Sequence, residues 1–221
     1  MTDSLQILCI HPQDETTDFL RPIGELFGDN YIVIPTRDES HQEIINRISL
    51  ASESSLIIFL GHGTQSLLYG AEGINYEKKA FITIETSNKI FINKNILFVS
   101  CLSSDFLNKS NVYYSAIGFG NIISSIKERN DEAELITGIY RQVNKEGIDL
   151  FNICYVNSIK QSLFLLLTNN ILFEELFSYI RFYLNKEINN VLLNKNNSSR
   201  TEIARLLFEF RDEMVFKKNL I

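Results

Sequence analysis

Several things are scarce in this sequence, and each scarcity argues against a class of protein. Cysteine occurs three times in 221 residues, at Cys9, Cys101 and Cys154. The odd count and wide spacing fit neither a disulfide framework nor a zinc site. Long lysine/arginine clusters are missing and the formal net charge is -6. Polyphosphate partners attract basic surfaces, so no direct nucleic-acid partner is expected. Apolar runs such as "SLFLLL" are short, far from the roughly 20 residues that span a bilayer. The opening "MTDSLQILCIHPQDE" lacks a basic n-region and a small-residue cleavage site, so a cytoplasmic protein away from membranes is expected. No glycine-rich cradle follows the first apolar run, where "HPQDETTD" stands. That argues against a doubly wound nucleotide or small-ligand binder.

What is present is an alternation of short apolar runs with helical patterns. Strands are expected at "LQILCIH" (5–11), "YIVIPT" (31–36), "SLIIFL" (55–60), "ILFVS" (96–100) and "SAIGFGNIISS" (115–125). Helical spacing marks "TTDFLRPIGELFG" and "ESHQEIINRISLAS". The segment "YEKKAFITIETSNKIFIN" reads as a short hairpin or irregular insert. The strands are continuously apolar rather than alternating. This predicts an α/β fold, a mostly parallel sheet with helices on both faces. From about residue 133 the patterns are helical up to "RTEIARLLFEFRDEMVFKKN". The expected organisation is an α/β core over 1–150 and a helical C-terminal extension over 151–221, packed on the same domain.

Two of the apolar runs end on a reactive side chain. "LIIFLGHG" delivers His62 and "ILFVSC" delivers Cys101, 39 residues later. In parallel α/β sheets ligands bind beyond the carboxyl ends of the strands. A cysteine nucleophile needs a base to form its thiolate, and backbone N–H groups to face the developing oxyanion. His62 supplies the base. Gly63, with no Cβ, lets its backbone approach a ligand, and the Cys101 N–H is the second donor.

In these motifs the sequence resembles the caspase-like (clan CD) cysteine peptidases, and among them the bacterial CHAT-type domains. The resemblance spans roughly residues 5–165. It includes "YYSAIGFGNIISS" and "IYRQVNKEGIDLFNICYVNSIK" downstream of the cysteine. It implies a caspase-like fold, His62 as the catalytic histidine and Cys101 as the nucleophile, acting on a peptide bond of a protein or peptide substrate without metal or cofactor. It places Val99, two residues before the nucleophile, in the substrate pocket. Leu102 departs from the acidic or hydroxyl residue that often follows the cysteine there, and the uncharged Val99 gives no reading of cleavage preference. By the same resemblance, a peptidase of this kind is gated by a regulatory or sensor partner in a bacterial defence or stress system. The alternative is a catalytically silent interaction module in a multi-protein assembly. An abundance of Asn, Ile and Lys fits an AT-rich, bacterial genome.

The remaining conspicuous residues read as structural. Cys9 and Cys154 sit on apolar patterns and are expected in the core. His11 follows the first strand and His41 begins a helix, where solvation is expected. Gly118 and Gly120 lie within an apolar strand pattern and lack phosphate-loop spacing, so close backbone packing is expected. Glu72, Glu77, Asp105 and Arg129 lie near the expected cleft in sequence. The polar segment "KERNDEAEL" (127–135) is the expected place for a proteolytic nick.

Overall fold

A computed structural model describes residues 6–125, 128, 130, 143–168 and 170–219. The chain forms two compact units, Met1–Gly120 with Met214–Ile221, and Asn121–Glu213. The division therefore falls at Gly120 rather than at 150, and the C-terminal segment belongs to the first unit.

The first unit is built on a six-stranded sheet. Its strands are β1 (Ile7–Pro12), β2 (Tyr31–Ile34), β3 (Leu56–Leu60), β6 (Asn95–Val99), β7 (Ser115–Gly118) and β8 (Val215–Lys218). They lie in the order β2-β1-β3-β6-β7-β8. All pairings are parallel except β7 with β8. β3 and β6 are buried along their whole length, which explains their continuous apolar sequences. A separate antiparallel pair, β4 (Leu67–Tyr69) and β5 (Ala80–Thr83), forms the hairpin of the insert.

Helices lie on both faces of the sheet. Leu8, Ile10, Ile57, Phe59, Ile96, Phe98 and Ala116 point to one face. There they pack with Ile44 and Ile48 of the helix Asp38–Leu50, Ile90 of the helix Ile84–Ile90, and Phe106 and Leu107 of the helix Ser103–Asn108. Side chains alternate along a strand, so Cys9 and His11 point to the other face. The helical turns of 15–30 contact β1 there, burying Leu20, Ile23 and Phe27. Gly118 has no room for a side chain. A Cβ there would lie 2.8 Å from the Ser103 backbone and from the Leu107 side chain, so the expected close packing is present.

Three local expectations are corrected. "VFKK" is not the end of a helix: the last helix stops at Asp212, and Val215–Lys218 pairs with β7. An open strand edge offers backbone partners that local helical spacing does not reveal. Within the insert, Ile84–Ile90 forms a helix whose N-cap Thr83 accepts a hydrogen bond from the Thr86 N–H. His41 is not simply solvated. Its Nδ1 donates to the Arg37 carbonyl at 2.7 Å, and its Nε2 accepts from the Ala71 N–H at 2.9 Å.

The second unit contains the helices Lys145–Leu167, Phe173–Leu193 and Arg200–Asp212, so the helical C-terminal region is present. Phe173, Leu176, Ile180 and Leu184 are buried along one stripe of the middle helix, while Phe177 and Tyr183 are half-buried. Phe151, Tyr155 and Phe210 form an aromatic cluster with ring centroids 4.7–6.0 Å apart. Among the described residues one helix, Lys145–Leu167, is long and apolar enough to cross a membrane by length and composition, although no uninterrupted apolar run suggested it; more than half of its apolar window is buried inside the protein. Most of the 127–135 segment, including Arg129, lies outside the described residues.

Candidate functional site

The site is built by register. Leu60 of β3 pairs with Val99 of β6, and the Gly61 N–H extends the ladder to the Val99 carbonyl at 3.2 Å. His62 and Cys101 each stand two residues beyond that pair. Neighbouring strands are about 4.8 Å apart, so the two residues emerge side by side at the carboxyl end of the sheet. Gly63 confirms how closely the two strand ends approach. A Cβ built on it would fall 2.8 Å from the Ser100 Oγ and 3.1 Å from the Cys101 carbonyl oxygen.

The turn after the strand is shaped around Cys101. Leu102 adopts φ 53° and ψ 22°, the left-handed region, which costs a non-glycine residue about 1 kcal/mol. Its N–H donates to the Gly120 carbonyl at 2.8 Å. The buried Ser103 Oγ accepts from the Phe119 N–H at 2.9 Å and lies 2.8 Å from the Ser100 carbonyl. These bonds fasten a sharp strand-to-helix turn, a kind of corner that presents the nucleophile in α/β-hydrolases. Cys101 is half-buried, whereas Cys9 and Cys154 are buried. Burial pushes both of those thiols up, Cys154 to about 12, which makes them poor nucleophiles.

On the facing loop, Gly63 bridges Leu68 through two bonds that flank it, Thr64 N–H to the Leu67 carbonyl and Tyr69 N–H to the His62 carbonyl. This is the wide type of antiparallel pair, so the Gly63 N–H lies outside the ladder. Gly63→Ala is expected to force the two strand ends apart and lower any Cys101-dependent activity at least about 10-fold, a loss typical of small misplacements in a site. Adding Ser100→Ala removes the nearest clashing atom and is expected to restore part of the loss, read as reactivity of Cys101 toward a thiol reagent.

Behind His62 lies a charged network. Its Nε2 is 2.6 Å from the Thr16 Oγ1 and 3.4 Å from the Asp14 Oδ2. Asp14 Oδ1 accepts from the Thr16 N–H at 2.9 Å and from the Thr16 hydroxyl at 2.6 Å. Lys78, from the hairpin insert, reaches Asp14 Oδ2 at 3.0 Å and Glu72 at 2.7 Å. The Lys78 contact to Oδ2 is a charge pairing rather than a well-aligned hydrogen bond. Burial alone would raise the Asp14 carboxyl. The Thr16 hydrogen bonds, the Lys78 ammonium and the nearby His62 outweigh it and hold the group below its ordinary value.

Asp14, Thr16 and Lys78 were not among the residues expected from sequence. The signal was present all the same: Asp14 stands two residues beyond the last residue of β1, as His62 and Cys101 do beyond β3 and β6. Of the acids near the cleft in sequence, Glu72 belongs to this network, while Glu77 and Asp105 are exposed away from it. Val99 is 1% exposed, its side chain closed inside the sheet. A cleft of about 630 Å³ adjoins the network, lined by Gln13–Thr16, Thr36 and Glu72–Tyr76.

His11 lies apart from this arrangement. It is buried rather than solvated as expected, bonded to the Tyr31 hydroxyl at 2.8 Å and the Thr17 hydroxyl at 3.1 Å. Burial pushes its imidazole down to about 4, against the pull of Asp18. The unfolded chain takes up this proton near about pH 6.5 and the folded one does not. Stability is therefore expected to fall as pH drops from about 6.5 to 4, by roughly 3 kcal/mol at most. His11→Gln should flatten that part of a denaturation-versus-pH curve.

A comparison with protein-family models finds no match, and a search of curated proteins finds none.

Proposed function

We propose that the protein is a caspase-like cysteine endopeptidase in which Cys101 attacks a peptide carbonyl and His62 carries the proton. The observation that supports it most is the juxtaposition of the His62-Gly63 loop with Cys101 at the ends of two paired parallel strands. In this reading the Cys101 thiol gives its proton to His62 and the thiolate adds to the scissile carbonyl. The oxyanion is met by the Gly63 and Cys101 N–H groups. His62 then protonates the leaving amine, and water hydrolyses the thioester. The adjoining cleft receives the polypeptide substrate. The sheet order, with one antiparallel strand at the β8 edge, agrees with the fold that the sequence motifs imply.

We further propose that a partner controls this activity. Phe164, Phe182 and Leu193 leave apolar surface exposed on the helices of the second unit, the kind of surface that a partner covers. The same observation favours a second reading, an interaction module that keeps the fold without turnover. A regulatory partner in a bacterial defence or stress system belongs to the first reading.

The test is covalent labelling with a panel of peptidyl electrophiles, read by intact mass and peptide mapping on wild type, His62→Ala and Cys101→Ala. Modification of Cys101 that depends on His62 supports the peptidase, and the preferred peptide reports the specificity. An unreactive Cys101, with candidate partners present, favours the interaction module.

A further inference from the structure

The geometry points to Asp14, acting through Thr16, as the positioning residue of His62, with Lys78 opposing its charge; this assignment rests on the reading of His62 and Cys101 as a working pair. One proton decides the direction of these bonds. Thr16 Oγ1 lies 2.6 Å from the Asp14 Oδ1 and 2.6 Å from the His62 Nε2. A hydroxyl carries a single hydrogen, and an ionised carboxylate only accepts. Two oxygens 2.6 Å apart with no hydrogen between them repel, so the Thr16 hydrogen points at Asp14. Thr16 must then accept from His62, and the hydrogen of that bond sits on Nε2.

Two consequences follow. In the neutral imidazole the lone pair is on Nδ1, so Nδ1 is the basic nitrogen that takes the Cys101 proton. When His62 becomes imidazolium, its charge faces Asp14 Oδ2 at 3.4 Å. That carboxylate is 5% exposed, so solvent screens the interaction little. The thiolate–imidazolium state thereby gains a fixed counter-charge. Lys78 sits on the same oxygen at 3.0 Å and is itself tied to Glu72 at 2.7 Å. Its charge opposes protonation of His62. The hairpin insert therefore reaches the site through one ammonium group, and moving that hairpin changes the strength of the base. Among the described residues, the charged groups placed at this end of His62 are Asp14 from the loop after β1 and, on the same carboxylate, Lys78 with Glu72 from the insert.

The experiment is NMR titration of the His62 ring in the full chain carrying Cys101→Ala, which reads the histidine without any need for turnover. The neutral ring is expected as the Nε2–H tautomer. Asp14→Asn should lower the His62 pKa by about one unit or more, the usual effect of removing an opposite charge at this range. Lys78→Met should raise it. Thr16→Val, which keeps Asp14, should weaken the tautomer preference and serves if the asparagine variant does not fold. Opposite signs at Asp14 and Lys78 are not produced by a general loss of structure. An unchanged His62 titration in Asp14→Asn, or a neutral Nδ1–H tautomer in the parent, overturns the assignment. Labelling of Cys101 in the otherwise wild-type chain separates the two readings. If His62→Ala suppresses labelling and Asp14→Asn leaves the titration unmoved, the dyad stands and Asp14 is not its positioning residue. If Asp14→Asn moves the titration while labelling ignores His62, the coupling is structural and the dyad fails.

Discussion

Cys101→Ala and His62→Ala are each expected to lower peptide hydrolysis by at least about 10³-fold, and the double variant to be no worse than the poorer single one. The non-additivity is the informative part. Residues that act as one unit lose nearly everything when either is removed, because neither does the chemistry alone. Cys101 provides the only half-buried thiol, against two buried ones. No other thiol is placed to take over. His62 is held from behind by Thr16 and Asp14, so its removal takes away the proposed base without loosening β3, which is fixed by pairing on both sides. Both single variants should keep the far-ultraviolet circular dichroism of the wild type. Turnover is measured with a fluorogenic peptide library, in the presence of any partner required. Wild-type rates in Cys101→Ala would end the peptidase reading.

The largest expected effect on stability comes from Phe98→Ala. Phe98 is the fourth residue of the five-residue strand β6 and is 0% exposed. Its ring meets those of Phe59, Phe91, Phe106 and Tyr113 at centroid distances of 5.5–6.4 Å. Removing it deletes one side of four aromatic contacts and leaves a cavity enclosed by strands and helices that cannot all collapse. Losses of about 3–5 kcal/mol are usual for a buried phenylalanine, a large share of the roughly 5–15 kcal/mol that holds a typical domain together. By contrast Phe182→Ala, on an exposed helix position, is expected to change stability by no more than about 0.5 kcal/mol. Urea denaturation of the two variants, followed by circular dichroism because the chain has no tryptophan, checks both. Similar midpoints for the two would mean that the packing around Phe98 is not what holds the sheet.

The sequence by itself determined the sheet and the two strand ends. Five strands follow from apolar runs that are too continuous for a half-exposed sheet and bounded by polar or glycine-bearing segments. His62 and Cys101 follow from where those runs stop. These are local properties, written in consecutive residues, and the ligand-end rule converts them into a candidate site. The helices of the second unit are legible for the same reason, since Phe173, Leu176 and Ile180 fall at helical spacing along one buried stripe.

What only the tertiary structure decided involves partners distant in sequence. Val215–Lys218 is a strand because β7 has an open edge for it, about a hundred residues earlier in the chain. His41 is a bridge because the insert brings Ala71 to it. Asp14 stands in an unremarkable acidic loop until β1 and β3 pair and place it behind His62, 48 residues away. Lys78 reaches the carboxylate behind His62 only when the hairpin folds over it. Hydrogen bonds and ion pairs of this kind depend on distance in space, and the single chain in sequence order carries no record of it except where the fold itself has first been derived.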